Sequence, residues 1–406
     1  MLKRILIIFV GILLLSFWFF NVFLSHICRF GYLVHGDSYV YPHNGKSFIV
    51  PLDNGNLLFL GENMHESLKE ESCSISSTPK FLPSEVYNIK TGKFEKFDMP
   101  SDFLYLPMGI MLKDNKLFLP FAAPLNNVDM YKDGSVCWIQ YNYFAVVDLD
   151  TKRLIQMKHK KIDEKYDMAP EYTTSVLLNN GNVLVLDFYN NKFELYNPKL
   201  NAYKLLNIKL EANKFYSYAT SLGDKVLLLG GGNADYNKVL ELDPTRENLK
   251  PVGKVRLRYD QTIKMLSNGN FVLFGGVSDN STDVREVELY DVMTNKSKVI
   301  TRLKKQHSLN FGLNFLSGDL IDDSLLLVSG GNRLYYPFYY ESTDSEIVNV
   351  ETGKVYSGPK LYMHDAFHSI IRLKNGNLLI VPIYRRTDSK KSDRQVEVFK
   401  LRKGNR

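Results

Sequence analysis

Tryptophan and cysteine are the scarcest residues of this 406-residue chain, with two and three copies. Three cysteines exclude a disulfide-stabilised scaffold and leave too few thiols for a structural zinc cluster. The sequence also lacks a Walker or dinucleotide glycine loop, an HExxH zinc motif, a CxxC pair and the nucleophile elbow of a serine hydrolase. We therefore expect no metal and no organic cofactor, and the sequence contains none of these catalytic motifs that would indicate a reaction.

The net charge of the body of the chain, residues 30–384, is close to zero, although the whole chain carries +7. Residues 1–29 carry +3 and residues 385–406 carry +6, so the residues between them carry −2. A nucleic-acid-binding protein normally presents a basic face on its folded body. The charge distribution therefore predicts no nucleic-acid partner.

The one long apolar run lies at the N-terminus. Residues 5–24 contain only Ser16 and Asn21 as polar residues, and twenty helical residues span about 30 Å, the thickness of a bilayer core. Lys3 and Arg4 precede the run, and the positive-inside tendency keeps that end cytoplasmic. The run predicts a transmembrane signal anchor, with the rest of the chain periplasmic or extracellular.

A cleaved signal peptide and a lipid-modified Cys28 are the alternatives. A signal peptide has a shorter apolar region that ends in a small-x-small site, and residues 23–28 offer none. His26 and Ile27 are also not the small residues expected before a lipidated cysteine. We therefore assign residues 1–29 to an uncleaved anchor.

An internal repeat covers the rest of the chain. Four segments are plainly alike, namely LDNGNLLFLG (52–61), LNNGNVLVLD (178–187), LSNGNFVLFGG (266–276) and LKNGNLLIVP (373–382). Degenerate copies lie at 112–120, 222–232 and 321–331. Asn-Gly supplies the positive φ angles of a two-residue hairpin, so each copy predicts two strands joined by such a turn.

A second motif follows each copy of the first. It alternates apolar and polar residues with period two and then ends in an Asn/Asp-x-x-Thr-Gly/Asn turn, which is typical of a strand and hairpin. Its seven copies lie at 84–93, 144–153, 192–201, 238–247, 286–296, 346–354 and 395–404. An all-β repeat of about 50 residues with several strands per unit indicates a β-propeller.

The repeat resembles that of the kelch family, whose units close a strand with Gly-Gly and continue into a Tyr-Asp-x-x-Thr-Asn turn. The match is best at Gly275-Gly276, followed by Tyr290-Asp291 and Thr294-Asn295. The doublet is missing from the first, second, third and seventh units, and the tryptophan usual after the turn is missing throughout. The resemblance implies an all-β, seven-bladed kelch-like propeller over residues 46–402, preceded by one transmembrane helix.

The predicted blades lie at about 46–99, 103–159, 170–209, 215–252, 259–301, 308–357 and 366–402. We call the strands of each blade a to d from the channel outward. The last unit ends at strand c, so residues 30–45 are predicted to supply its outer strand and close the ring. Residues 403–406 form a basic tail. The closing strand would start on the face of the a–b and c–d turns, so we expect the anchor beneath that face.

The face of the b–c and d–a loops is the candidate binding region. Its longest b–c loops are 61–83 and 120–142, and long loops on a rigid scaffold often carry binding. Polar side chains at the entry to the inner strands are further candidates, namely Tyr172, Tyr218, Tyr259, Asp260, His307, His364, Asp365 and His368. Packing between blades is the alternative role for these residues, and drift without function is the alternative for the loops.

Two functions of different classes remain open. The first is a binding or scaffold module that engages a protein or a glycan. The second, implied by kelch-like propellers that act on sialic acid, is a periplasmic sugar mutarotase or epimerase. Asp260, His307, His364 and Asp365 would then lie within about 2.6–3.2 Å of the transferred proton. A copper radical oxidase with a tyrosine–cysteine crosslink is disfavoured, because Cys73 and Cys137 fall in outer loops.

Cys73 and Cys137 lie in the two long b–c loops of neighbouring blades, and outside the cytoplasm such thiols pair. We expect a Cys73–Cys137 disulfide, with two unrelated thiols as the alternative. Peptide mass spectrometry without reduction tests this, and free thiols at both positions would contradict it.

Overall fold

The structure is a computed structural model, and it describes a defined set of residues. These are residues 24–25, 27–39, 49–61, 84–105, 108–124, 128–130, 137–139, 143–160, 173–188, 191–210, 218–230, 237–256, 258, 261–276, 284–304, 316–330, 332–335, 338–341, 343–362, 368–382 and 395–402.

The described strands form a seven-bladed β-propeller of antiparallel sheets. The chain starts with β1 (Gly31–Ser38), and blade 1 contains β2 (Ile49–Pro51), β3 (Leu57–Phe59), β4 (Ser84–Asn88) and β5 (Lys93–Phe97). Blade 2 contains β6 (Phe103–Tyr105), β7 (Ile110–Met111) and β8 (Lys116–Pro124), then a hairpin of β9 (Val128–Met130) and β10 (Cys137–Ile139), then β11 (Tyr143–Asp148) and β12 (Arg153–His159). Blade 3 contains β13 (Thr173–Leu177), β14 (Val183–Asp187), β15 (Lys192–Asn197) and β16 (Ala202–Leu205).

The remaining blades continue the same order. Blade 4 contains β17 (Tyr218–Leu222), β18 (Lys225–Leu229), β19 (Lys238–Asp243) and β20 (Asn248–Lys254). Blade 5 contains β21 (Thr262–Met265), β22 (Phe271–Phe274), β23 (Glu286–Asp291) and β24 (Lys296–Arg302). Blade 6 contains β25 (Leu316–Leu320), β26 (Leu325–Gly330), a hairpin of β27 (Asn332–Tyr335) and β28 (Phe338–Glu341), then β29 (Ser345–Asn349) and β30 (Val355–Ser357). Blade 7 contains β31 (His368–Arg372), β32 (Leu378–Pro382) and β33 (Gln395–Leu401).

The b strands are mostly apolar because both of their faces are covered by neighbouring blades. β22 reads FVLF and is completely buried. The cluster between blades 5 and 6 joins Val272 and Phe274 of one blade to Val328 and Val348 of the next. Burying such a side chain stabilises the fold by about 1.5–3 kcal/mol, so the core is a series of inter-blade layers.

The ring closes through the N-terminal strand. The sheet order of blade 7 is β1-β33-β32-β31, and β1 pairs antiparallel with β33 from Gly31 opposite Leu401 onward. Leu33 is buried against this blade. The strand that the sequence analysis assigned to this outer position therefore lies there.

The segment before β1 does not continue the direction of that strand. The chain reverses at residues 28–31, where the Cys28 amide donates to the Gly31 carbonyl at 2.9 Å and Ile27 bridges to Tyr32. The Lys360 amide then donates to the Ser25 carbonyl at 2.8 Å, which places that segment beside the linker from blade 6 to blade 7. The closing strand thus starts at the turn face as predicted, and the chain before it folds back at residues 28–31. Residues 5–23 of the anchor lie outside the described residues, so its position beneath that face stays a prediction.

The four Asn-Gly a–b turns differ from the predicted two-residue hairpin, whereas in blade 4 Leu222 pairs directly with Lys225 across a two-residue loop. In the first one, the Gly55 amide donates to the Leu52 carbonyl at 2.8 Å, and Gly55 alone has a positive φ, of 89°. This is a type I turn followed by a left-handed glycine, the three-residue loop. The Asn54 side chain accepts from the Asn56 amide, and the Asn56 side chain accepts from Ile89 of the next turn. In Asn-Gly-Asn, the first Asn thus stabilises its own turn, Gly supplies the positive φ, and the second Asn connects the turn to the c–d turn.

The c–d turns share one chemistry. In blade 5, the Asp291 carboxylate accepts from the Thr294 amide at 2.8 Å, and Asn295 takes a left-handed φ of 55°. The Thr294 hydrogen bond holds the pKa of Asp291 below its usual range. Short turns of this kind make the a–b and c–d face compact.

No helix within the described residues is long and apolar enough to cross a membrane. Residues 5–23 of the predicted anchor lie outside the described set, so the transmembrane helix stays a prediction.

Deletion of residues 29–43 removes β1 and leaves β33 as an open edge. We expect the variant to lose its cooperative unfolding transition, because the outer strand of blade 7 and the buried Leu33 disappear together. Urea unfolding followed by tyrosine fluorescence measures this. Deletion of residues 403–406 is the control, and an unchanged transition in the 29–43 variant would contradict the closure.

Candidate functional site

The loop face carries additional strands that the opposite face lacks within the described residues. β8 continues to Pro124, so residues 120–124 of the predicted long loop belong to a strand. The hairpin of β9 and β10 follows in the same connection. A second hairpin, β27 and β28, lies in the b–c connection of blade 6, which the sequence analysis did not single out. Residues 62–83 of the other predicted loop lie outside the described set.

Most of the predicted site residues cannot be placed within the described part of the chain. Tyr172, Tyr259, Asp260, His307, His364, Asp365 and Cys73 lie outside it. Cys137 is described only in its backbone, at the start of β10. Tyr218 and His368 are therefore the two predicted side chains whose surroundings are known.

His368 lies between blades 6 and 7. It opens the inner strand β31, is only 3% exposed, and its Nε2 is 2.7 Å from the Ser329 hydroxyl at the end of β26. Ser329 is fully buried. The pair therefore satisfies two buried polar groups across a blade interface, which is the packing role that the sequence analysis gave as the alternative.

Tyr218 opens the inner strand of blade 4. Its ring lies 6.3 Å from that of Phe271 in blade 5, edge to face. Burial raises the pKa of the phenol, and the charge of Asp319 adds to this, while a hydrogen bond with Thr220 opposes it. Tyr218 therefore remains a neutral hydrogen-bonding group at neutral pH.

Asp319 is the centre of a polar arc on the inner strands. It accepts from Lys264 Nζ of blade 5 at 3.1 Å and from the Arg372 amide of blade 7 at 3.1 Å. The Ser317 hydroxyl likewise accepts from the Ile370 amide at 2.9 Å. An inner strand is a sheet edge with unpaired backbone groups, and these side chains satisfy the edge of the next blade.

A set of buried glutamates in the c strands is the main feature that the sequence analysis missed. They stand three residues before the Asn or Asp of the c–d turn in most blades, or before Lys400 in blade 7, and all are at most 1% exposed: Glu85, Glu194, Glu288, Glu346 and Glu397. The equivalent residues in blades 2 and 4 are Ala145 and Leu240. The constant offset from the turn is the sequence signal that could have identified them.

Glu288 shows what these carboxylates do. It accepts from the Arg256 amide at 3.0 Å and from Arg258 Nη2 at 2.6 Å, and both donors belong to the linker from blade 4. Arg258 also donates to the Glu286 carbonyl at 2.9 Å. Burial lowers the pKa of Arg258 and the Glu288 charge opposes this. The carboxylate therefore fixes the linker that enters its blade.

Lys160 and Glu194 form the corresponding pair between blades 2 and 3. Lys160 Nζ is 3.1 Å from Glu194, and both side chains are 1% exposed. The ammonium also lies 3.9 Å from the ring centre of Phe121, and Tyr203 donates to Glu194. Burial lowers the pKa of Lys160, and Glu194 opposes the shift. Because the Lys160–Glu194 pair is buried between two blades, we assign it a structural role.

The linker from blade 4 to blade 5, which contains Arg258, also contains a buried polar side chain without hydrogen-bond partners among the described residues. Gln261 is 8% exposed, and within the described structure neither atom of its amide has a hydrogen-bond partner. A buried amide without partners costs about 1–3 kcal/mol, so Gln261 marks a place near the loop face where water or a ligand would be stabilised.

No three His, Cys, Asp or Glu side chains of the described residues lie close enough together to hold a metal ion.

No protein-family model and no curated protein matches the sequence. Among solved structures, 1046 chains match, which marks a widely shared fold. One is a fungal alcohol oxidase of the AA5 family in complex with copper, with a TM-score of 0.60 and 12% identity, covering 92% of this chain and 76% of that chain. A likeness at this identity shows the β-propeller fold, and a fold of this kind does not specify an activity.

Substitution of Glu288 by Leu leaves Arg258 charged, buried and without its carboxylate. We expect a loss of about 3–5 kcal/mol in the free energy of unfolding, because breaking a buried pair costs more than replacing it. The double variant Arg258→Met/Glu288→Leu should recover a large part of this loss. Urea denaturation measures both.

The exposed pair of Lys204 and Glu247 is the control, and Lys204→Met should change stability by less than about 1 kcal/mol. A double variant that is at least as unstable as the sum of its single variants would contradict the structural role of the pair.

Proposed function

We propose that this protein is a membrane-anchored, extracytoplasmic, kelch-like propeller that binds a protein or a glycan with its b–c and d–a loop face. The observation that supports the proposal most is the difference between the two faces. The a–b and c–d face consists of short turns closed by their own Asn and Asp side chains. The loop face carries two inserted hairpins. Such insertions on a rigid scaffold are where binding residues concentrate.

The inner-strand network supports binding at the channel mouth. Buried polar contacts such as the Ser329–His368 pair and the Arg256–Glu288 hydrogen bond hold the described ends of the d–a segments in place. A fixed segment binds a ligand without losing further conformational entropy. Gln261 supplies unused hydrogen-bonding capacity on the same side.

The membrane part of the proposal rests on the apolar run of residues 5–24 and on Lys3 and Arg4 before it. Membrane fractions should contain the intact chain with residues 1–28. Edman sequencing or intact-mass analysis measures this, and a mature protein that starts near residue 29 would refute the anchor.

A loop replacement tests the binding face. Residues 125–142 of blade 2 are exchanged for the short connection of blade 3, residues 188–191, which leaves β8 and β11 in place. Binding of the full-length protein in detergent to a glycan array, or to a partner recovered by crosslinking, should fall by about tenfold or more if the loop carries contacts. The amount of the variant bound to the array or to the partner is compared with the amount of the parent chain bound.

The matched control is the double variant Leu200→Ser/Met293→Ser on the opposite face, where these side chains are 75% and 90% exposed. This variant should bind like the parent. Equal binding by the loop variant would contradict the proposal. A sialic-acid mutarotation assay of the parent chain tests the enzymatic alternative, and a rate above background would replace the binding role.

A further inference from the structure

The outer strands of blades 2 to 5 carry charge of one sign. β12, β16, β20 and β24 together contain eight lysines and arginines and no acidic residue. Outer strands are open sheet edges, and charge on an edge prevents pairing with a second copy of the chain. Charge of either sign would serve that purpose. The body of the chain has a net charge of −2, yet these four outer strands carry only positive charge. This bias therefore indicates a role beyond preventing self-association.

β24 combines three positive charges with a first part that no proline or bulge interrupts, whereas β5 of blade 1 is regular but shorter and contains Glu95. β16 has four residues and β30 has three, while β20 contains Pro251 and β12 bulges at Ile155. β24 has seven residues and no proline, and it pairs in regular register with β23 from Lys296 to Val299, before a bulge at Ile300. Its outer edge pairs with no strand in the described part of the chain.

The side chains of β24 combine positive charge with an exposed aliphatic group. Lys296 and Lys298 are exposed, and neither forms an ion pair within the described residues. Val299, beside them, is 45% exposed. A cationic strand with an uncovered valine offers both electrostatic and apolar contact to an incoming segment.

A groove adjoins the start of this strand. It has a volume of about 560 Å³ and is lined by residues 251–254 of β20 and residues 295–297 of blade 5. Lys254 and Lys296 line it, and no acidic residue does. Side chains of a segment paired with β24 would enter a space whose charged groups are all positive.

We propose that the outer edge of β24 binds an extended acidic polypeptide segment by strand addition. Main-chain hydrogen bonds to an open edge provide affinity in this mode, and alternate side chains provide specificity. Lys296 and Lys298 attract acidic side chains and repel a second β24, so the same charges select the partner and prevent self-association. This surface is separate from the loop face.

The test uses the full-length protein in detergent and an eight-residue fluorescent peptide of alternating Glu and Val. We expect saturable binding by fluorescence anisotropy and slower hydrogen exchange at the amides of β24. The Lys296→Glu/Lys298→Glu variant should bind about tenfold or more weakly. The same sequence N-methylated at every residue should also bind about tenfold or more weakly, because it cannot form the ladder.

The matched control reverses the same number of charges on another outer strand, as Arg153→Glu/Lys158→Glu in β12, and should bind like the parent. Equal losses in both variants would show non-specific attraction and overturn the proposal. Undiminished binding of the N-methylated peptide, no binding of the acidic peptide, or dimerisation of the free protein through β24 would overturn it as well.

Discussion

The pairing of β1 with β33 is the constraint on which the rest of the ring depends. Each blade buries its b and c strands only because a neighbour covers them on both sides, so a gap at any position exposes two apolar faces. The seventh blade lacks a fourth strand of its own, and the chain supplies it from residues more than 350 positions earlier. The two ends of the chain are therefore bound to each other, and the ring forms as a unit.

The buried glutamates are the second constraint, and they show how a repeat adapts to its connections. A carboxylate taken out of water costs several kcal/mol unless its oxygens find donors. Glu288 finds an amide and a guanidinium in the incoming linker, and Glu346 accepts from the Lys304 amide at 3.1 Å. Blade 4 has Leu240 in place of this carboxylate, and its incoming linker is held by other groups. The Asn191 side chain donates to the Leu210 carbonyl and accepts from the Leu210 amide. The linkers to the loop face are thus fixed individually.

The fold could be predicted from the sequence because its signals are local and repeated. The two strand-and-turn motifs recur seven times, with Asn-Gly in four of the a–b turns and Asn or Asp in six of the c–d turns, and the missing strand of the last unit pointed to residues 30–45. The turn type could not be predicted, because Asn54-Gly55 suits both a two-residue and a three-residue loop and only the Gly55 to Leu52 hydrogen bond decides. The reversal at residues 28–31 and the hairpin of β27 and β28 have no counterpart in most units, so a comparison of the repeats could not predict them. For the site, His368 was found but its partner Ser329 was not, because their pairing crosses from one blade to the next.

Function in such a ring resides where the seven units differ. The b strands are nearly interchangeable and carry stability, so they say little about a ligand. The inserted hairpins of blades 2 and 6, the unpaired amide of Gln261 and the cationic outer strands of blades 2 to 5 each occur in only some of the described units. A symmetric edge would need protection of equal kind in every blade, and the blades instead use short strands, a proline or a bulge. Among the described residues, β24 carries Lys296 and Lys298 without ion pairs along its regular first part, and this leaves the backbone of that edge available to a partner of opposite sign.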